Sequence, residues 1–394
     1  MPANKKQHTT PKPNPTAEEP SSSQQQVEQT FHQHLRDQIR NATQMVMEEI
    51  MREELTQFLG AKWGECCAER KGYRNGCYTR NLATTSGQIK DLQVPRDRAG
   101  EFHTQIFDQY NRYEQQVADG LTQMFVSGTS TQKVGEVAQT LMGVTLSASV
   151  VSRLNRGLSE QFDDWRERRL QGHWRVLYLD GIHFEVRHGD QVDSTIILAA
   201  LGVDLEGSKD ILAMRACTEE SKDGWMCLLQ DLRTRGATEV DLIVTDGHDG
   251  LLAAVSALFT ATPRQRCLVH KQRNVMNALP KREQDSIAVE LAGIWKQPTK
   301  EQALIELAAF KAKYHQRYPE AVRSLGEDEE HLLTFYAFPQ VMHRYIRSTN
   351  AIESLFSNVR RRTNQIDTFT TETSCLTIVW AVMQGIRLPW IPVS

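Results

Sequence analysis

Apolar residues recur at helical spacing from about Val27 to Leu59 (Leu35, Ile39, Met45, Met47, Ile50, Leu55, Leu59), and Gly60 ends the run. This predicts one or two amphipathic helices. Residues 61–100 shift to Gly, Arg and β-branched residues, and Tyr78 to Arg96 reads as a hairpin turning at Ser86-Gly87. Residues 105–127 read as helical again. From 129 to 159 the spacing is that of two helices. Ser130 or Thr131 caps one bearing Val134, Val137, Ala138 and Leu141, and Gly143 breaks it. Ser147 or Ser149 caps another bearing Val150, Val151, Leu154 and Leu158. A helix-turn-helix and an ordinary helical hairpin fit that spacing equally well.

From Trp174 the period changes to that of strands: Val176 to Asp180, extending toward Val186; Thr195 to Val203; and Lys209 to Ala216, with a turn at Asp204–Gly207. A helix follows. Thr218 is its expected N-cap, Glu219 and Glu220 fill its first turn, Trp225, Leu228, Leu229 and Leu232 share one face, and Gly236 stands after its end. Asp241 to Thr245 reads as a fourth strand, Leu251 to Phe259 as a helix, and Gln265 to Leu268 as a fifth strand. Three hairpin-like strands, then helix, strand, helix and strand, predict a mixed α/β sheet with the layout of an RNase H-like core. Residues 271–335 are helical in pattern, as are 350–363 and 370–385.

Composition changes this picture little. The 394 residues are 40% hydrophobic and 24% charged, ordinary for a globular protein of two or three domains. The longest apolar run, Ile196 to Val203, is too short to span a bilayer, and the N-terminus lacks a secretory apolar core. Residues 1–26, rich in Pro, Gln, Ser and Lys, read as a disordered tail. The seven cysteines are odd in number and irregular in spacing, which points to a reducing cytosol. Cys66, Cys67 and Cys77 lack a fourth ligand at zinc spacing. The net charge of −3 does not advertise a nucleic-acid partner. Its distribution does, with basic side chains clustered between Lys62 and Arg98 and again at Arg360, Arg361 and Arg362.

Three carboxylates carry the candidate chemistry. Asp180 ends the first strand, Asp246 ends the fourth, and Glu353 lies in the first turn of a late helix. Carboxylate oxygens suit Mg²⁺ or Mn²⁺, and a pair of such ions supports in-line phosphoryl transfer. Each residue also has a plain structural reading: Asp180-Gly181 and Asp246-Gly247 as turns, and Glu353 as the partner of Asn350 in a capping box.

Several stretches carry a resemblance: Arg74-Asn75-Gly76-Cys77-Tyr78; Val94 to Phe102; Gly128 to Val134; Glu220-Ser221-Lys222 with Trp225 and Leu228; Thr245 to Leu251; Gln265 to Asn274; and Thr349 to Ser354. Over roughly residues 45–390 the chain resembles the mutator-type (IS256 family) transposases of bacterial insertion sequences. The resemblance implies a DDE transposase with an RNase H-like core interrupted by a helical insertion. It maps the catalytic, metal-holding triad onto Asp180, Asp246 and Glu353 with two Mg²⁺ or Mn²⁺ ions per site, and leaves Asp190 and Asp193 as weaker competitors for the first position. A Cys-x-x-His element falls on Cys267 and His270, which with His183 and His248 are candidates for active-site support. Lys271, Arg273, Arg360, Arg361, Arg362, Arg74, Arg80 and Arg96 are the expected DNA contacts.

The expected domains are the tail; an N-terminal DNA-binding region, 27–127; a helix-turn-helix-like segment, 128–165; the first part of the core, 166–279; the helical insertion, 280–342; and C-terminal helices completing the core, 343–394. The implied partners are terminal inverted repeats, target DNA and a second subunit or more, with no membrane, in the bacterial cytoplasm at the nucleoid. A nuclease that cuts without joining, and a DNA-binding regulator with an inactive centre, are the alternatives.

Overall fold

The computed structural model describes residues 22–68, 70–107, 115–126, 131–142, 148–364 and 366–393. The chain divides into two compact units, one comprising Met1–Leu121 with Gly135–Leu146, the other Thr122–Val134 with Ser147–Ser394.

In the first unit a single helix α1 (Ser22–Leu59) covers the stretch expected to hold one or two, and starts inside the expected tail. Most of that tail lies outside the described residues. Strands β1 (Arg74–Thr84) and β2 (Gly87–Asp97) form the expected hairpin, with Thr85 and Ser86 at its tip. The turn is closed by the Thr84 hydroxyl, which donates to the Gly87 carbonyl at 2.8 Å. Gly87 takes φ +112°, a conformation that favours glycine. Met51 of α1 packs with Leu82, Ile89, Leu92, Val94 and Phe107, so one face of the hairpin is buried on the helix. Two of the expected DNA-contacting arginines are committed to this packing. Arg74 donates to the Thr56 hydroxyl at 2.9 Å and the Ala61 carbonyl at 3.1 Å. The Arg80 guanidinium lies 4.2 Å from the centre of the Phe107 ring. Arg96 is exposed and donates to the Asn75 carbonyl. Cys66, Cys67 and Cys77 are exposed free thiols.

Helices α2 (Gln115–Val126) and α3 (Thr131–Met142) each cross the division between the units. Helix is therefore absent at 105–107, where it was expected, and 108–114 lie outside the described residues. Helix α4 (Ala148–Glu167) follows. Ser130, Gly143 and Ser147, on which the helix-turn-helix reading turned, lie outside the described residues.

The second unit is built on a five-stranded sheet. Its strands are β4 (Val176–His188), β5 (Gln191–Val203), β6 (Lys209–Cys217), β8 (Ile243–Thr245) and β9 (Arg264–Arg266), in the order β6-β5-β4-β8-β9. β4, β5 and β6 pair antiparallel, and β8 and β9 join parallel. β3 (His173–Trp174) and β7 (Glu239–Val240) form a separate short ladder. The fourth expected strand, Asp241 to Thr245, begins instead at Ile243, and the Asp241 carboxylate accepts from His173 at 2.7 Å and Arg175 at 2.7 Å.

Helices cover both faces of the sheet, which is why β5 is apolar without alternation. Leu177, Leu179, Leu198 and Ile243 meet Trp225, Leu228, Leu229 and Leu232 of α5 (Lys222–Thr234) and Leu251, Ala254 and Val255 of α6 (Asp249–Leu258). Val176, Tyr178, Ile182 and Val244 point the other way. They join a core shared with α4, α7 (Leu268–Asn277), α8 (Lys281–Ile294), α9 (Lys300–Tyr314), α10 (Pro319–Gly326), α11 (Gln340–Ile346), α12 (Asn350–Thr363) and α13 (Glu372–Gln384). No helix of the described residues is long and apolar enough to cross a membrane.

The α5 helix begins later than its sequence suggested. Its N-cap is Ser221, whose hydroxyl accepts from the Gly224 amide, with Asp223 in the first turn. Thr218, Glu219 and Glu220 precede the helix. On the outer strand β6, a bulge lies opposite Ala200-Leu201. There the Arg168 guanidinium donates to the Ile211 carbonyl at 2.8 Å and that of Arg235 to the Leu212 carbonyl at 2.6 Å.

Two glycines give opposite expectations. A Cβ on Gly202 would lie 2.6 Å from both Leu212 Cδ1 and Trp174 Cε3, whereas one on Gly293, near the end of α8, would meet nothing within 4 Å. In urea denaturation, Gly202→Ala should cost about 1–3 kcal/mol. Gly293→Ala should gain about 0.4–1 kcal/mol by restricting the unfolded chain.

Candidate active site

Parallel pairing of β4 with β8 sets Leu179 beside Thr245, so Asp246 leaves the end of β8 next to Asp180, which lies within β4 rather than at the strand end expected of it, because β4 runs on to His188. Alternation along β4 puts Asp180 on the side of Tyr178 and Ile182, which is also the side that α12 covers through Ile352, Leu355, Phe356 and Val359. Glu353 is in the first turn of that helix. Thr349, rather than Asn350, is the helix's N-cap residue, and its hydroxyl donates to the Glu353 carboxylate. Glu353 therefore completes no capping box with Asn350.

Asp180 senses the other two carboxylates. Burial pushes Asp180 up to about 7; the Gly181 amide opposes this, while Asp246 and Glu353 push it further and His270 opposes. That amide donates to Asp180 Oδ1 at 2.8 Å, and the His248 amide donates to Asp246 Oδ1 at 3.1 Å. Asp190 lies in the turn between β4 and β5, and Asp193 pairs with Val186 near the far end of the ladder; both are exposed. Neither shares the site.

Cys267 and His270 complete the third side. The Cys267 sulfur accepts from the Thr349 amide at 3.3 Å and lies 3.2 Å from the Thr349 hydroxyl oxygen, whose single proton goes to Glu353. Burial raises the Cys267 pKa, but hydrogen bonds from His270 and Thr349 outweigh it and leave the thiol below its ordinary value. The bond to Cys267 raises His270, against burial, with Glu353 and Asp246 adding to the rise. The pair therefore leans toward thiolate and imidazolium. His270 Nδ1 stands 3.9 Å from Glu353 Oε1. Among the described residues, the trio whose ligand atoms all fall within 4.8 Å of one another is Cys267, His270 and Glu353. The three carboxylates do not close to that distance. Cys267 Sγ is already occupied by Thr349, which favours its role as a hydrogen-bonded anchor over that of a metal ligand.

A fourth carboxylate, Glu220, escaped the sequence reading, which had placed it inside a helix. Its Oε1 accepts from the Trp225 indole at 3.0 Å and lies 3.7 Å from His248 Nδ1. Burial raises its pKa, the indole opposes, Asp246 raises it further, and His248 and His183 oppose. Its position just before an N-cap serine was the available signal. Arg266 was also overlooked. It is buried, and its guanidinium lies where a side chain on Gly247 would go, with 2.0 Å between Nη1 and an ideal Cβ. Gly247 itself takes φ +85°.

The basic residues separate by burial. Lys271 is 1% exposed and its ammonium donates to the Ser324 carbonyl at 2.8 Å. It ties α7 to α10 and offers no surface charge, contrary to the DNA contact expected of it. Arg273, Arg360 and Arg361 are exposed, and Arg362 is half-buried against α13, where it donates to the Val382 carbonyl.

Because burial favours the protonated form of Asp180, the folded chain holds a proton that the unfolded chain releases near pH 4. Its stability therefore falls as pH rises from about 4 to about 7. Asp180→Asn should remove this slope. In metal-free buffer, thermal unfolding should show a gain of a few degrees at pH 8 and little at pH 4.5. Equal gains at both would contradict the assignment.

Comparison with known proteins adds the family. Residues 16–392 match the family model described as Transposase, Mutator family. The chain is 36% identical to the transposase for insertion sequence element ISRM5 of Rhizobium meliloti over 90% of its own length and 89% of that protein's. It is 30% identical to the transposase for element IS256 in transposon Tn4001 of Staphylococcus aureus, over 93% and 95% of the two chains. The transposase for element IS905 of Lactococcus lactis matches at 30%, over 83% of each. A match over nearly the whole chain means that this protein belongs to the Mutator family of transposases.

Proposed function

We propose that the protein is a DDE transposase with an RNase H-like core, which cleaves DNA at the terminal inverted repeats of its own element and joins the freed end to target DNA. The observation that carries the reading is that Asp246, at the end of β8, and Glu353, on a distant helix, both lie near enough to Asp180 in β4 to raise its pKa. The strand order β6-β5-β4-β8-β9 supports the fold assignment. Between them, these carboxylates make a pocket whose repulsion divalent cations would offset, and their oxygen donors suit Mg²⁺ or Mn²⁺. Such ions, when bound, lower the pKa of an attacking hydroxyl and offset charge on the departing oxygen.

The protein's own groups orient and balance charge. The Gly181 and His248 amides fix the two aspartates, and the Thr349 hydroxyl fixes Glu353. His270, held toward its protonated form by Cys267, brings positive charge to the carboxylates and to an incoming phosphate. In cleavage, water attacks phosphorus and the 3′-oxygen leaves with a proton. In joining, that 3′-hydroxyl attacks another phosphodiester, so one P–O bond forms as one breaks. Arg360 and Arg361, beyond Glu353 on α12, and Arg273 on α7 supply exposed charge for DNA phosphates. Handling two element ends calls for at least two subunits.

The test is Mg²⁺-dependent cleavage and joining of DNA carrying the element ends. Asp246→Ala should lower both by at least about 10³-fold while end binding persists. Fragments without joined product would favour a nuclease, and binding without cleavage a regulator. Replacing Arg360 and Arg361 by Ala should weaken end binding and flatten its logarithmic salt slope by up to about 2. An unchanged slope would remove them from the interface.

A further inference from the structure

Glu220 and His248 face each other beside Asp246, across a junction where two helices begin. Glu220 precedes Ser221, the N-cap of α5, and His248 is the N-cap residue of α6. The two helix starts come so close that a Cβ on Gly250 would lie 2.8 Å from the Lys222 amide nitrogen and 3.3 Å from His248 Nδ1. Across this junction Glu220 Oε1 stands 3.7 Å from His248 Nδ1.

Each partner is fixed on one side and free on the other. The Glu220 carboxylate accepts from the indole of Trp225, a fully buried residue, so it cannot swing away without stranding that N–H. The His248 amide donates to Asp246 Oδ1, which anchors the residue by its backbone. Its ring makes no capping bond to α6. Nδ1 is buried and has no hydrogen-bond partner. The side chain as a whole is 40% exposed, so its accessible edge is the opposite one, which carries Nε2. A buried ring nitrogen with a carboxylate as its neighbour and no bond of its own calls for an explanation. Contacts of this kind are often long in a substrate-free site and tighten when substrate arrives.

We propose that Glu220 is a positioning residue that acts through His248. It accepts from Nδ1 and so turns Nε2 toward a DNA phosphate beside the carboxylates, to which Nε2 donates. With an anion on each side, the ring holds both its protons. The identity of the phosphate rests on the transposase reading; the contact between the two side chains does not.

Isotope-labelled histidine in the full-length protein, with His248→Ala to assign the signals, tests the contact by nuclear magnetic resonance. Without DNA, Nδ1 should carry a proton shielded from solvent exchange. Glu220→Ala should expose that proton, and Glu220→Gln, which keeps an acceptor oxygen, should retain it. Because Glu220→Ala strands the Trp225 indole, it is compared with Trp225→Phe and with the two combined, all checked by circular dichroism. Cleavage of element-end DNA tests the consequence. Glu220→Ala and His248→Ala should each slow it by about tenfold or more, and Glu220→Ala should add little once His248 is gone. Glu220→Gln should keep most of the rate. A neutral methylphosphonate in place of the contacted phosphate should erase the difference between the wild type and both alanine variants. Losses that multiply in the double variant would overturn the proposal, since a carboxylate that serves only the indole acts without His248. So would an Nδ1 proton indifferent to Glu220→Ala. A higher Mg²⁺ requirement in Glu220→Ala alone would also overturn it and make the carboxylate a metal ligand. A wild type that cuts no element DNA would count against the transposase reading, and the labelled ring would still decide the contact.

Discussion

Placing carboxylates side by side away from water is unfavourable, and the pairing of β4 with β8 imposes that arrangement on Asp180 and Asp246. The rest of the second unit can be understood as support for it. Five strands hold the two aspartates in register, and the amides of Gly181 within β4 and of His248 after β8 hydrogen-bond to them. Helix α12, seated on the same side by four buried apolar residues, adds a third carboxylate to an already crowded place. A chain optimised for stability alone would not collect these charges. The proposed function would account for their cost, since a bound cation would offset the repulsion.

His270 and Cys267 belong to the same balance. The Cys267 thiol and the His270 imidazole bond each other, which draws the first pKa down and the second up beside the carboxylates. Thr349 links the two halves of this arrangement, since its amide and hydroxyl reach Cys267 and its hydroxyl reaches Glu353. The turn into α12 and the turn into α7 are thereby fixed to each other. Gly247 and Arg266 act similarly on the far side, where a buried guanidinium fills the space that a missing side chain leaves beside Asp246.

Much of this was legible in the amino-acid sequence, and what was not has identifiable causes. Val176 to Val203 reads as strands because its apolar runs are too short for buried helices and are flanked by turn residues. The two aspartates read as candidates because each closes an expected strand, although β4 in fact runs on past Asp180 to His188. Glu220 was missed because Thr218 and Ser221 are both acceptable N-caps, and packing of Trp225 beneath the sheet chose the second. Lys271 was misjudged because a basic residue on a helix near a proposed site looks exposed until the other elements are in place. Its burial depends on α10, whose Ser324 carbonyl receives the ammonium. The β3 and β7 ladder is two residues long on each side, too short for any periodicity to register.

The arginines at the β6 margin carry a consequence for any assembly this protein enters. A sheet's outermost strand normally offers a row of free carbonyls on which a foreign segment can crystallise. Here two guanidinium groups occupy consecutive carbonyls beside a bulge, so an arriving chain finds fewer acceptors there and a template that is not straight. Copies of the chain that meet at this margin are thus steered away from fusing through their backbones, and reversible encounters between side chains remain open to them.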